Sequence, residues 1–213
     1  MNPPHAHRPA SQAALPAQPF SPPGRAPGSL EFLRGFLRHP ARVGSVIPSS
    51  HHLEQRLVAQ ARLAEARSVV ELGPGTGGTT AAFLRALPAT AQLLAIELDP
   101  HFHRHLRASL DDARLHLALG SAEQLAAHVA ERWMPAPDAI VSGIPFSTMP
   151  PEVSDRVAAA VAGALRPGGR FVAYQVRAHV ADFVAPYLGR PQMSWELLNV
   201  PPVRVFTWVK PGG

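Results

Sequence analysis

The sequence predicts an α/β fold: a doubly wound sheet of seven strands, mostly parallel, with an antiparallel strand at the C-terminus and helices before the first strand. Two observations lead to this prediction. Short apolar runs alternate with helical patterns along most of the chain, which is typical of parallel βαβ units. Only residues 200–202, which include Pro201–Pro202, separate the last two runs, too short a link for a crossover helix, so these two strands should form an antiparallel hairpin.

The predicted strands are short runs rich in Val, Ile and Leu that are bounded by turn residues. They cover residues 68–72, 92–98, 115–119, 139–142, 170–176, 196–199 and 203–209. A helix is predicted before them over 51–66, with Ser49 or Ser50 as its N-cap.

Two N-terminal segments differ from this pattern. Residues 1–28 are rich in Pro, Ala and Gly and predict a disordered tail ahead of a folded domain over 29–213. Residues 30–39 predict an amphipathic helix with its leucines and phenylalanines on one face and Arg34 and Arg38 on the other. Such a helix either docks on its own domain or lies on an anionic membrane.

The composition narrows the class of protein. With 213 residues, 46% hydrophobic and 16% charged, the chain suits one globular domain. It has no cysteine for disulfides or thiolate metal sites, and no apolar run of membrane-spanning length, so a cytoplasmic protein is expected. The net charge of +5 favours a nucleic acid or an anionic membrane as partner, or simply reflects an arginine-rich composition.

A glycine-rich turn follows the first predicted strand. Gly73, Gly75 and Gly77 allow the backbone to pass close under a ligand, and the helix that follows presents free N–H groups. The G-x-G-x-G spacing differs from that of dinucleotide sites, and Glu71 would repel a phosphate. A carboxylate here suits a ligand with a cationic amino-acid end. Glu97 ends the next strand, 20 residues after Gly77, where an acid can bind both ribose hydroxyls of an adenosine cofactor.

These elements together resemble the class I S-adenosylmethionine-dependent methyltransferases, whose Rossmann-like sheet has seven strands with the last one antiparallel. The resemblance implies S-adenosylmethionine as cofactor, with the glycine turn and Glu71 toward its methionine end and Glu97 on its ribose. Ser121 stands where the family often has an acid that meets the adenine amine. The implied cofactor-binding residues are Ser50, Glu71, Gly73, Gly75, Thr76, Gly77, Glu97, Leu98, Ser121, Ala122 and Ser142.

The segment Ser142-Gly143-Ile144-Pro145 resembles the loop that grips the acceptor in amine and adenine N-methyltransferases. Ser142 replaces the Asn or Asp of that loop, which counts against a nucleobase substrate. The predicted catalytic residues are Ser142 and Ile144, through the backbone carbonyls of their loop, and Tyr174 near the end of the fifth strand. Other possible bases are His51, His52 and Glu123, and Arg177 is a possible contact of a lipid phosphate. The alternative for these residues is an ordinary surface position. No metal site is predicted, because His101, His103 and His105 point in different directions on a helix.

Segments 36–40, 43–50, 142–145 and 199–202 resemble bacterial phospholipid N-methyltransferases, relatives of the rRNA adenine dimethyltransferases. This resemblance implies methylation of phosphatidylethanolamine toward phosphatidylcholine by a peripheral enzyme at the inner face of the membrane. The amphipathic helix over 30–39 would supply the contact with anionic lipid. A nucleic acid is not the expected partner, since the chain ends at the sheet without a helical RNA-binding domain. Alternatives are methylation of a soluble amine or an rRNA adenine, and a non-catalytic cofactor-binding protein.

Overall fold

The computed structural model describes residues 49–212. The predicted tail at 1–28 and the amphipathic helix at 30–39 lie outside the described residues. The described part contains seven strands: β1 (Ser68–Leu72), β2 (Gln92–Glu97), β3 (Leu115–Leu119), β4 (Ala139–Ser142), β5 (Arg170–Gln175), β6 (Gln192–Glu196) and β7 (Val203–Val209). Its six α-helices are α1 (His51–Gln60), α2 (Gly78–Ala86), α3 (Pro100–Ser109), α4 (Leu125–Glu131), α5 (Pro151–Ala164) and α6 (Val180–Leu188).

The strands form one sheet in the order β3-β2-β1-β4-β5-β7-β6. Strands β1 to β5 are parallel, and β7 is antiparallel to both of its neighbours, β5 and β6. The predicted seven-stranded, doubly wound sheet with a reversed strand at the C-terminus is therefore confirmed. No helix in the described part of the chain is long and apolar enough to cross a bilayer.

Hydrophobic cores form on both faces of the sheet. On one face, Leu53 and Leu57 of α1 and Phe83 of α2 pack against buried residues of β1, β2 and β4. On the other, α4, α5 and α6 cover a second set of strand residues that includes Phe171 and Trp208, whose rings stack with centroids 5.2 Å apart. The central strands are buried on both sides, which explains their continuous apolar sequence.

Two predicted boundaries are wrong. Strand β6 lies at 192–196 rather than 196–199, because residues 197–202 form the turn into β7 and side chains replace the ladder there: Glu196 Oε1 accepts a hydrogen bond from the Leu198 N–H at 3.0 Å. Helix α1 ends at Gln60 rather than Ala66, because Arg62 adopts φ 51° and the chain continues as a short 3₁₀ turn at 63–65. The β2 and β5 bounds differ from prediction by one residue.

The carboxyl ends of the parallel strands meet at one edge of the sheet. Leu72 is in register with Ile96 on one side and with Ser142 on the other. Backbone hydrogen bonds join the loops that leave these strands: Gly73 N–H donates to Ile96 O and Gly143 N–H donates to Leu72 O, both at 3.0 Å. The glycine turn and the Ser142–Pro145 loop therefore lie side by side.

Candidate active site

The glycine turn reverses the chain between β1 and α2 in a conformation that side chains resist. Gly73, Gly75 and Gly77 have φ angles of 73°, 57° and 86°. A Cβ at Gly73 would lie 3.1 Å from the Ile144 side chain, whereas one at Gly75 would meet no atom of residues 49–212 within 4 Å. The turn is therefore closed toward the Ser142–Pro145 loop and open above Gly75, and Thr76 beside it is exposed.

Glu97 connects the end of β2 to the glycine turn. Its Oε2 accepts a hydrogen bond from Gly75 N–H at 3.0 Å and its Oε1 accepts one from Asp99 N–H at 2.8 Å. The side chain is buried, forms no salt bridge with the described residues, and has its pKa raised, chiefly by burial. The two carboxylate oxygens have about four acceptor positions between them, so the carboxylate keeps acceptor capacity beyond its backbone donors. The two hydroxyls of a ribose can donate hydrogen bonds to these carboxylate oxygens.

Glu71 lies beneath the glycine turn, and its carboxylate is hydrogen-bonded to other side chains of the protein. Its two oxygens accept hydrogen bonds from the hydroxyls of Thr79 and Thr80 at 2.5 and 2.7 Å, and the residue is 2% exposed. Burial raises its pKa from 4.5 to about 7 despite these bonds. Glu71 thus ties the glycine turn to the first turn of α2. The negative charge of Glu71 was predicted from the sequence, but its two hydrogen-bond donors were not. Two adjacent threonines at the start of the next helix are the sequence signal that could have indicated them.

We expect Glu71→Gln to remove a pH dependence of stability. Because the folded pKa is raised from 4.5 to about 7, the unfolded chain loses this proton first as pH rises, and the free energy of unfolding falls across that window. The loss amounts to about 3 kcal/mol by pH 8. Urea denaturation should therefore give similar stabilities at pH 4.5 and a more stable variant at pH 8. Glu65→Gln, at an exposed position, is the control, and parallel pH curves for wild type and Glu71→Gln would contradict the expectation.

Tyr174 reaches the same buried cluster from β5. Its hydroxyl lies so close to Gly143 that any Cβ there would collide with it. Burial, and then the charge of Glu71, raise the pKa of Tyr174, while hydrogen bonds with Thr79 and Ser49 oppose this. The phenol is therefore neutral at physiological pH. Tyr174 can position the acceptor loop, but it is not poised to remove a proton.

One backbone carbonyl of the Ser142–Pro145 loop accepts no hydrogen bond from residues 49–212. Ile144 O already accepts hydrogen bonds from Phe146 N–H at 3.0 Å and from Gln175 Nε2 at 2.5 Å. Ser142 is fully buried, and its hydroxyl accepts a hydrogen bond from Ile144 N–H at 3.3 Å. Among the described residues, none donates a hydrogen bond to the Gly143 carbonyl. The carbonyl without a donor among residues 49–212 is therefore that of Gly143, which lies between the two predicted positions, Ser142 and Ile144. Gln175, the side chain that bonds this loop, was not predicted.

Beyond β3, the predicted adenine end is built around Ser121. Gly120 N–H donates to Glu97 O at 2.9 Å, which places this loop next to the end of β2. The Ser121 hydroxyl bonds within its own turn to Glu123, whose carboxylate pairs with Arg156. Ala122, next to Ser121, and Leu98, next to Glu97, are both buried. Glu123 is therefore committed to a salt bridge and is not a free base.

The remaining predicted residues make no hydrogen bond to this cluster within residues 49–212. Ser50 caps α1, its hydroxyl accepting from Leu53 N–H at 3.2 Å, and its own N–H donates to Asn199 Oδ1 at 2.9 Å. His51 and His52 are exposed, as is Arg177 just beyond β5. Within residues 49–212, no three His, Cys, Asp or Glu side chains are grouped so that they could hold a metal ion.

The fold and this edge define the class of protein: an enzyme that transfers a methyl group. The family described as "Methyltransferase domain" matches residues 69–169. An ornithine lipid N-methyltransferase of Singulisphaera acidiphila is 31% identical over 141 residues, which cover 66% of this chain and 73% of that protein. The ribosomal RNA small subunit methyltransferase A of Nocardia farcinica is 31% identical over 134 residues, 62% of this chain but 43% of that protein.

A solved structure shows the same fold. The O-methyltransferase TomG of Streptomyces achromogenes, in complex with S-adenosylmethionine, superposes with a TM-score of 0.62 at 16% identity, covering 89% of this chain and 92% of that one. The chain belongs to the class I S-adenosylmethionine-dependent methyltransferases, and S-adenosylmethionine is its cofactor. The resemblance inferred from the sequence is confirmed at this level.

Proposed function

We propose that this methyltransferase acts on the amine of a membrane lipid headgroup, and in the first place converts phosphatidylethanolamine toward phosphatidylcholine. The observation that carries the proposal is the Gly143 carbonyl, which accepts no hydrogen bond from residues 49–212 and lies in a loop that abuts the glycine turn. A carbonyl is a hydrogen-bond acceptor, so it suits an N–H of the acceptor amine. The similarity to a protein named as an ornithine lipid N-methyltransferase supports a lipid amine as well.

The chemistry requires a neutral amine. An alkyl amine, judged by lysine, has a pKa near 10, so roughly one molecule in a thousand has a free lone pair at pH 7, a cost of about 4 kcal/mol. S-Adenosylmethionine supplies the electrophilic methyl group on a cationic sulfonium, and a site that binds this cation favours the neutral amine. Gly143 accepts an amine N–H and so directs the lone pair.

Among residues 49–212, the predicted candidates supply positioning rather than a base. Tyr174 is neutral, Glu123 is paired with Arg156, and the exposed histidines lie on α1. Water would take the amine proton before transfer. With S-adenosylmethionine bound, the amine lone pair would then form the N–C bond as the S–C bond breaks, with S-adenosylhomocysteine as the leaving group. In-line positioning of this kind accounts for large rate accelerations without covalent catalysis.

Methylation of an rRNA adenine is the second candidate, and the similarity to the Nocardia farcinica enzyme favours it. Ser142 counts against it. In this position a side-chain amide or carboxylate would bond a planar exocyclic amine, whereas the Ser142 hydroxyl is fully buried and accepts from its own loop.

The test is transfer of labelled methyl groups from S-adenosylmethionine to four acceptors. These are vesicles with phosphatidylethanolamine, vesicles with an ornithine lipid, soluble phosphoethanolamine, and rRNA. We expect label in mono-, di- or trimethylated phosphatidylethanolamine. Label found only in the ornithine lipid would support a lipid amine as the acceptor but would replace phosphatidylethanolamine as the proposed headgroup. Label in the soluble amine or in rRNA alone overturns the lipid proposal, and cofactor binding without label anywhere favours a non-catalytic role.

The cellular location is part of the same proposal. A peripheral enzyme at the inner face of the membrane meets both the cofactor and the lipid headgroups. The segment at 30–39, outside the described residues, is one element that we propose lies on anionic lipid, because its sequence places arginines opposite an apolar face.

A further inference from the structure

The turn between β6 and β7 lies at the same edge of the sheet as the candidate active site. Strand β6 pairs antiparallel with β7, which pairs antiparallel with β5, so β6 runs in the direction of β1 to β5. The turn at 197–202 therefore extends from the carboxyl edge. Ser50 N–H donates to Asn199 Oδ1 at 2.9 Å and joins this turn to the start of α1.

This turn exposes large apolar side chains. Trp195 at the end of β6 and Leu197, Leu198 and Val200 in the turn, here called the apolar rim, are 43%, 68%, 64% and 86% exposed. A cluster of this kind at one tip is typical of a surface that contacts an apolar partner.

The backbone of the turn is nevertheless held in place. Asn199 is fully buried and its amide donates to Pro201 O at 3.0 Å, while Leu198 N–H donates to Glu196 Oε1. Glu196 is itself fixed by a 2.8 Å salt bridge to Arg56. Buried polar groups thus fix the turn so that its apolar side chains face outward.

The charges around the apolar rim are positive. The Arg204 guanidinium lies over the Trp195 ring at 4.2 Å and donates to Val176 O, and Arg177 is exposed in the next loop. The one acid in 195–204, Glu196, is buried and neutralised by Arg56. Apolar side chains below arginines match the boundary between acyl chains and anionic headgroups.

We infer that the apolar rim inserts into the interfacial layer of an anionic bilayer and so holds the active-site edge against the membrane. The inference rests on the proposed lipid substrate, because such an acceptor must reach Gly143 from a bilayer. It adds a second membrane contact, on the catalytic domain itself, to the one proposed for residues 30–39. Docking at this edge shortens the path that a headgroup travels to the Ser142–Pro145 loop.

Tryptophan fluorescence tests the insertion directly, since the chain has three tryptophans and Trp208 is 1% exposed. Trp133→Phe leaves Trp195 as the exposed reporter, and Trp195→Phe leaves Trp133, which is 93% exposed and precedes β4 at the opposite edge. The full chain is mixed with phosphatidylglycerol–phosphatidylcholine vesicles that carry brominated acyl chains and no amine acceptor. We expect quenching and a blue shift in Trp133→Phe and neither in Trp195→Phe.

A second pair of variants measures affinity. Leu197→Ser/Leu198→Ser should weaken vesicle binding by about tenfold or more, from the loss of buried apolar area. Trp133→Ser/Val209→Ser removes comparable exposed apolar side chains from the opposite edge and should bind like wild type.

Several results would overturn the inference: no vesicle binding, binding with Trp195 unquenched, or equal affinity of the two double variants. Trp195 shielded before lipid is added would assign the rim to another segment of this chain. Concentration-dependent association lost in Leu197→Ser/Leu198→Ser would assign it to a second copy. Insertion of the apolar rim without methyl transfer to any lipid would contradict the proposed function but not this inference. Methyl transfer to lipid with Trp195 unquenched would contradict this inference but not the proposed function.

Discussion

Replacing Glu97 with alanine should weaken binding of S-adenosylmethionine by about 100-fold or more while the protein stays folded. The substitution removes a buried carboxylate that keeps acceptor capacity for ribose hydroxyls. Hydrogen bonds to a charged group are worth about 1.5–3 kcal/mol each, and 1.4 kcal/mol is a factor of ten in affinity. The substitution also frees Gly75 N–H, so the glycine turn loses a bond that holds it near the cofactor.

Calorimetric titration with S-adenosylhomocysteine checks this result, with a thermal melt of each variant to establish folding. Glu97→Gln keeps the size and one acceptor and should lose less affinity than alanine. Glu131→Ala removes an exposed acid at the end of α4 and should bind normally. Unchanged affinity in folded Glu97→Ala would mean that the ribose is bound elsewhere.

The fold was predictable because its signals are local. Strands buried on both faces give continuous apolar runs, and helices between them give a 3.6-residue period, so the alternation identifies a parallel sheet. Strand β6 was misplaced for a local reason too. Leu197 and Leu198 look like strand residues, but they are exposed in a turn, and the true strand contains the less apolar Gln192, Met193 and Ser194.

The candidate site was predictable by residue but not by environment. Glu71 and Glu97 were both predictable from strand ends and glycine spacing. No sequence pattern shows, however, that threonine hydroxyls donate to both oxygens of Glu71, or that Glu97 keeps acceptor capacity for a ligand. Tyr174 was predicted as a contact of the amine, and its position against Gly143 depends on strands 31 residues apart in sequence. Long-range contacts of this kind decide which acceptor stays free.

Gly143→Ala should lower the rate of methyl transfer by about 100-fold and destabilise the fold by about 1–3 kcal/mol. A Cβ at this position would collide with the Tyr174 hydroxyl and come within 3.3 Å of Gly73 O. Either the phenol or the loop must then move, and a shift of about 1 Å in the acceptor loop misaligns the amine with the methyl group. Single-turnover assays with the acceptor that takes label, and urea denaturation, measure the two effects.

Tyr174→Phe provides the internal test, because it removes the hydroxyl with which the new methyl group would collide. Adding Gly143→Ala in that background should cost less stability than in wild type, although the ring carbon that bore the hydroxyl still lies 2.9 Å from the added Cβ. Gly163→Ala is the matched control, since a Cβ there meets no atom within 4 Å and alanine is the better helix former. Equal costs in the tyrosine and phenylalanine backgrounds would mean that Tyr174 does not set the position of the loop. A smaller cost in phenylalanine, with the rate partly restored, would make Tyr174 a positioning residue whose neutral hydroxyl fixes the Gly143 carbonyl beside the glycine turn.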